Sequence, residues 1–114
     1  MKITKQTQGS VTIVSISGSL DALTARELER FLQQEIGAGN SRLVADLAEL
    51  EYTSSAGLRV LLTTVRECRA RGGDLRLAAV QENVDRVLEM SGLTTIFKIY
   101  PDRATALSDF EPVS

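Results

Sequence analysis

The 114-residue chain has no histidine, no tryptophan, one cysteine and two prolines. Each shortage removes a class of function. Without histidine there is no Ser-His-Asp or Cys-His nucleophile arrangement, and the commonest zinc ligand is missing. Cys68 alone cannot build a metal site. A single cysteine also excludes an internal disulfide. Set in an apolar helical pattern, it reads as a buried, inert thiol. Neither a G-x-x-x-x-G-K-[ST] nor a G-x-G-x-x-G loop is present to cradle a nucleotide phosphate. No apolar run approaches the roughly 18 residues a membrane span needs. The start, Met1-Lys2-Ile3-Thr4-Lys5, is not followed by the apolar region of a signal peptide. These absences set the expectation of a cytoplasmic protein that is no enzyme, with no cofactor, metal or membrane partner.

Charge narrows the field further. Thirteen Lys and Arg against fifteen Asp and Glu leave a net charge of −2, without the clustered basic field that grips nucleic acid. The densest basic stretch, Arg66, Arg69 and Arg71, suits the last turn of a helix, where cations complement the dipole. Aromatics supply only 4% of the chain, so the core must be built from Leu, Val, Ile and Ala. That aliphatic mix fits strands packed under helices.

The pattern along the chain fits one domain over 1–114. Lys2 to Gln8 alternates weakly, Gly9-Ser10 signals a turn, and Val11 to Ile16 is rich in β-branched residues. Together they predict a hairpin, its second strand ending at Gly18-Ser19. Leu28, Phe31, Leu32 and Ile36 then recur at helical spacing, with Asp21 or Thr24 as the cap and Gly37 and Gly39 as the stop. Leu43 to Leu47 reads as a buried central strand, and Ala48 to Thr53 as a loop. Leu58, Leu61, Leu62, Val65 and Cys68 mark a second helix, stopped by Gly72-Gly73, before a strand at Leu75–Ala79. A third helix carries Val84, Val87 and Leu88, and Ile96–Tyr100 reads as the last strand. Asp102 caps a short final helix, and Glu111–Ser114 is expected to be a loose tail. The order ββαβαβαβα implies right-handed crossovers and a largely parallel sheet with an antiparallel edge.

One junction asks for more. Thr53, Ser54 and Ser55 stand in a row where a strand hands over to a helix, and Gly57 falls inside the first helical turn. Capping explains one serine, at about 1 kcal/mol. It leaves the second serine and the glycine unexplained, since a helical glycine costs up to about 1 kcal/mol against alanine. The alternative is a switch. A helix start offers free N–H groups and partial positive charge, so a phosphate there would be accommodated by its own helix. Gly57 would keep the neighbourhood open to a partner or kinase. On spacing alone both readings stand.

Asp46-Leu47 followed by Tyr52-Thr53-Ser54-Ser55-Ala56-Gly57-Leu58 resembles the signature of STAS domains, specifically bacterial anti-sigma factor antagonists. Gly18-Ser19-Leu20-Asp21 with Thr24, and Met90-Ser91-Gly92-Leu93, resemble two further motifs of that family, in the same order. Ser54 stands where some members carry Asp, and Ala56 where some carry a second Ser. The resemblance implies an α/β STAS fold: a mixed five-stranded sheet with helices mainly on one face. It implies a partner-switching protein that binds an anti-sigma factor serine kinase and is released when Ser55 is phosphorylated. A PP2C-type phosphatase would reset it. Asp21, Thr24, Ser54, Ala56 and Gly57 would then be partner-binding residues. The wider family also supplies regulatory subunits of transporters and signalling complexes, where phosphorylation is incidental.

Overall fold

The computed structural model describes residues 1–110. The turn at Gly9-Ser10 joins β1 (Lys2–Gln8) to β2 (Val11–Leu20), paired antiparallel from Lys2 opposite Ser17 to Gln8 opposite Val11. Gly9 has φ 62°, the positive dihedral that a two-residue hairpin turn requires at its first position. β2 is the spine of the sheet. Its first half pairs in parallel with β3 (Arg42–Asp46), and its far end pairs in parallel with β4 (Leu50–Thr53). Beyond β3 lie β5 (Asp74–Ala78) and a two-residue β6 (Ile99–Tyr100), both parallel.

Three of the four α-helices among the described residues cover one face. They are α1 (Ala22–Gly37), α2 (Ser55–Ala70) and α3 (Glu82–Met90). Leu28, Leu32 and Ile36 of α1, Leu58, Leu61, Val65 and Cys68 of α2, and Val84 and Leu88 of α3 meet Val14, Ile16, Leu43, Leu75 and Leu77 there. Each fully buried aliphatic side chain contributes about 1.5–3 kcal/mol, so this layer holds the domain together. On the opposite face α4 (Arg103–Phe110) lays Ala106, Leu107 and Phe110 on Val11, Ile13, Val44 and Ala78. Arginines fasten it: Arg103 meets Asp46 at 2.7 Å, and Arg76 stacks over the Phe110 ring at 3.9 Å.

The mixed sheet and one-sided helix layer match expectation, with one strand more than five. β2 does not stop at Gly18-Ser19. Gly18 takes φ 92° at a register shift, and the strand bends there and runs on to Leu20. The segment expected as a loop supplies its partner, β4, in which Leu50 and Thr53 face inward and Glu51 and Tyr52 outward. The last strand is shorter than Ile96–Tyr100. Leu93–Thr95 forms a single 3-10 turn, and the Ile96 and Phe97 amides bond back to the Leu93 carbonyl, which uses up the strand's first residues. The tail at 111–114 lies outside the described residues. Among the described residues no helix is long and apolar enough to cross a membrane.

Candidate functional site

β2 and β4 end side by side, with Leu20 opposite Thr53, and each leads directly into a helix. The N-termini of α1 and α2 are therefore neighbours. The Ser54 N–H donates to the Leu20 carbonyl at 2.8 Å, which ties the two helix entries together.

At the start of α1, Asp21 and Thr24 form a capping box. The Asp21 carboxylate accepts the Thr24 N–H at 2.8 Å and the Leu23 N–H at 3.0 Å. The Thr24 hydroxyl accepts the Asp21 N–H at 2.8 Å and lies 3.1 Å from the Ser19 carbonyl. The Thr24 N–H first, and then its hydroxyl, hold the Asp21 carboxyl below its ordinary pKa. Asp21 is thus the cap, with Thr24 as its reciprocal partner.

At the start of α2 the three hydroxyl residues take three different places. Thr53 is buried, and its hydroxyl donates to the Ser54 carbonyl at 3.1 Å. Ser54 is the N-cap, its side-chain oxygen accepting the Gly57 N–H at 3.2 Å. Ser55 is the first helical residue and is exposed. Among the described residues nothing engages its hydroxyl. Of the two serines, Ser54 caps the helix, and among the described residues the Ser55 hydroxyl has no hydrogen-bond partner.

Gly57 needs a different explanation from the one its position suggested. It is buried and does not open the site. A Cβ there would stand 2.5 Å from Thr53 Oγ1 and 2.6 Å from Leu20 Cδ2. The glycine lets the first turn of α2 lie directly on the end of β2, a close approach that no side chain permits. Ala56 beside it is half-buried against the main core.

A family model of the STAS domain matches residues 2–106. The chain belongs to the STAS domain family. The Bordetella bronchiseptica protein BtrV is 34% identical over 97% of this chain and 96% of its own length. The anti-sigma F factor antagonist of Paenibacillus polymyxa is 31% identical over 100% of this chain and 98% of its own. The Bacillus protein SpoIIAA shares the fold at 17% identity. Its unphosphorylated form has a TM-score of 0.84 over 95% of both chains, and its phosphorylated form 0.77 over 96% of this chain and 100% of that one.

Two exposed residues of this STAS domain were not among the expected partner-binding residues. Leu23, in the first turn of α1, is 77% exposed, and Tyr52, beside the Ser54 cap, is 52% exposed. Both flank the paired helix starts and give that end an apolar character. Leu23 lies off the Leu28–Leu32–Ile36 stripe, and an off-stripe leucine at a helix start was the available signal. Tyr52 stood in the signature, but its outward direction depends on β4, which the sequence pattern did not announce. Cys68 is fully buried, and burial, aided by the Asp74 charge, pushes its thiol up to about 11. It takes no part in the site.

Proposed function

We propose that this STAS domain is an anti-sigma factor antagonist whose binding is switched by phosphate on Ser55. Unphosphorylated, it binds an anti-sigma factor serine kinase. The kinase transfers the γ-phosphoryl group of its ATP to Ser55 Oγ, ADP leaves, and the hydroxyl proton is released to the medium. The modified protein dissociates. A PP2C-type phosphatase restores the serine by hydrolysis and frees inorganic phosphate. The antagonist role is what the Paenibacillus polymyxa relative is named for, and the Bacillus protein exists in a phosphorylated form.

The observation that carries the reading is the division of labour among the three hydroxyls. Thr53 is buried and Ser54 is committed to the helix cap, which leaves Ser55 exposed and uncommitted. Leu23 and Tyr52 supply apolar contact area beside it, and Asp21, Thr24, Ser54 and Ala56 frame the same end. Micromolar binding amounts to about −8 kcal/mol. A phosphate adds about −1.5 to −2 charges, and desolvating an unpaired dianion in an interface costs several kcal/mol. One modification is enough to abolish the complex.

Phosphopeptide mapping after incubation with the cognate kinase and ATP tests the assignment. Phosphate on Ser55 and loss of kinase binding are expected, with Ser55→Ala bound persistently. Phosphate confined to Ser54 or Thr53 would end it.

A further inference from the structure

Ser55 and Glu82 hold the same place in their helices. Each is the first helical residue, following the N-caps Ser54 and Gln81. Four residues on, both helices carry an arginine: Arg59 in α2 and Arg86 in α3. In α3 the pair is closed, with Arg86 Nη2 lying 3.4 Å from Glu82 Oε1 although both side chains are well exposed. In α2 the anionic member is missing. Arg59 is exposed and, among the described residues, forms no ion pair. Its neighbours at three- and four-residue spacing are Ser55, Ala56, Leu62 and Thr63, none of which carries a carboxylate.

We propose that Arg59 is the built-in counter-charge of a phosphate on Ser55, closing across the first turn of α2 the pair that Glu82 and Arg86 make in α3. The inference rests on Ser55 being the acceptor. Helical side chains lean toward the N-terminus, so an arginine at i+4 reaches back over residue i. A phosphoserine places its terminal oxygens the same number of bonds from Cα as glutamate does, so the reach seen in α3 carries over. It also offers more charge than a carboxylate and three acceptor oxygens for the guanidinium fork. The phosphate is then held along the helix instead of swinging freely. The start of α2 changes from a lone cation to a pair of net negative charge, in the place where a partner would dock.

The test uses the full chain with phosphoserine incorporated at position 55 during synthesis, beside the unmodified chain. Each is prepared with Arg59, Arg59→Gln or Arg59→Lys. In thermal unfolding at low salt, Arg59→Gln should leave the unmodified protein unchanged and lower the melting temperature of the phosphorylated one by about 2 °C. Arg59→Lys should recover part of that loss, and 1 M salt should erase it. The NMR signal of the Arg59 Nε–H should shift on phosphorylation. Equal effects of Arg59→Gln on both forms, with an unmoved Nε–H signal, would overturn the inference. Because the phosphate is built in, no kinase enters this measurement. A kinase that ignores Ser55 would end the switch reading, and with it the role of Arg59, whatever coupling the installed phosphate shows; absent coupling in a chain the kinase does modify would end this inference alone.

Discussion

Replacing Ser54 and Ser55 by alanine, one at a time, separates the two hydroxyls by their energetic cost. Ser54 Oγ accepts the Gly57 N–H at 3.2 Å, at the end of a helix of 16 residues. Removing an N-cap of this kind costs about 1 kcal/mol, within a range of 0.5–2. The orphaned N–H lies on a buried glycine, where water cannot easily replace the lost acceptor, so the upper half of that range applies. Ser55 sits at the first helical position with an exposed side chain. Alanine there loses no contact and has the better helix propensity, so the change should stay within about 0.5 kcal/mol of zero.

Urea unfolding of each variant measures the difference. Ser54→Ala should shift the midpoint downward at unchanged slope, and Ser55→Ala should overlay the parent curve. By the size rule the first amounts to roughly 4 °C or more in melting temperature for a domain near 100 residues. Ser54→Asp adds a control, because aspartate caps as well as serine and its charge suits a helix N-terminus. It should keep the stability that alanine loses. A Ser55→Ala variant as destabilised as Ser54→Ala would refute the assignment of roles, and with it the reason for choosing Ser55 as acceptor.

Gly57→Ala should destabilise by about 1 kcal/mol, because overpacking costs of 1–3 kcal/mol exceed the helix-propensity gain of about 1; an equally stable variant would show that Leu20 and Thr53 move aside freely. Asp21→Ala should lower the melting temperature more than Asp21→Asn, which keeps the cap acceptor but loses the charge, and loss of kinase binding in the Asn variant would reveal a contact made by the charge itself. The Asp21 pKa is depressed in the folded state, so its contribution is present above the unfolded carboxyl value and is lost as pH falls through the folded one. A pH titration of stability should therefore show the Asp21→Ala deficit shrinking only in strong acid. Ala79 has φ 56°, so Ala79→Gly should stabilise by about 0.5 kcal/mol by relieving a left-handed alanine, and a loss in urea unfolding would contradict this. Cys68, with its thiol pushed up to about 11 and fully buried, should react with a thiol reagent at pH 8 only as fast as the domain opens; rapid labelling of the native protein would refute its burial.

The features readable in the sequence were the local ones. The hairpin follows from Gly9-Ser10 between β-rich runs, and the helices follow from apolar residues at three- and four-residue spacing, such as Leu28, Leu32 and Ile36. β4 was missed for a physical reason. Its four residues carry only two inward side chains, Leu50 and Thr53, and its partner is the far end of β2, some thirty residues earlier. Nothing in Leu50-Glu51-Tyr52-Thr53 announces a strand until β2 bends at Gly18 to meet it. The site divides in the same way. The run of hydroxyls marked the place, and its position at a helix start was legible from the change in period. Which serine caps depends on a one-residue difference in where the helix begins, and periodicity does not resolve such boundaries. Gly57 was conspicuous, but its cause is a contact with Leu20, 37 residues away in sequence.

That contact bears on how a switch at Ser55 would work. Gly57 presses α2 onto Leu20, the Ser54 N–H is bonded to the Leu20 carbonyl, and the next residue, Asp21, caps α1. The two helix starts are one welded unit. α1 and α2 also pack along their length, with Gln33 Nε2 donating to Glu67 Oε1 at 2.8 Å. Moving either start means breaking a buried backbone hydrogen bond and reopening a packed contact, at a cost of several kcal/mol. A phosphate on an exposed first-turn residue has no such energy to spend on rearrangement, since its interactions with an N-terminus and one arginine amount to about 0.3–1 kcal/mol each. The modification would therefore leave the fold as it is. Release of a partner would come from the charge placed at the interface, and binding would return as soon as hydrolysis removed it, with no refolding step between.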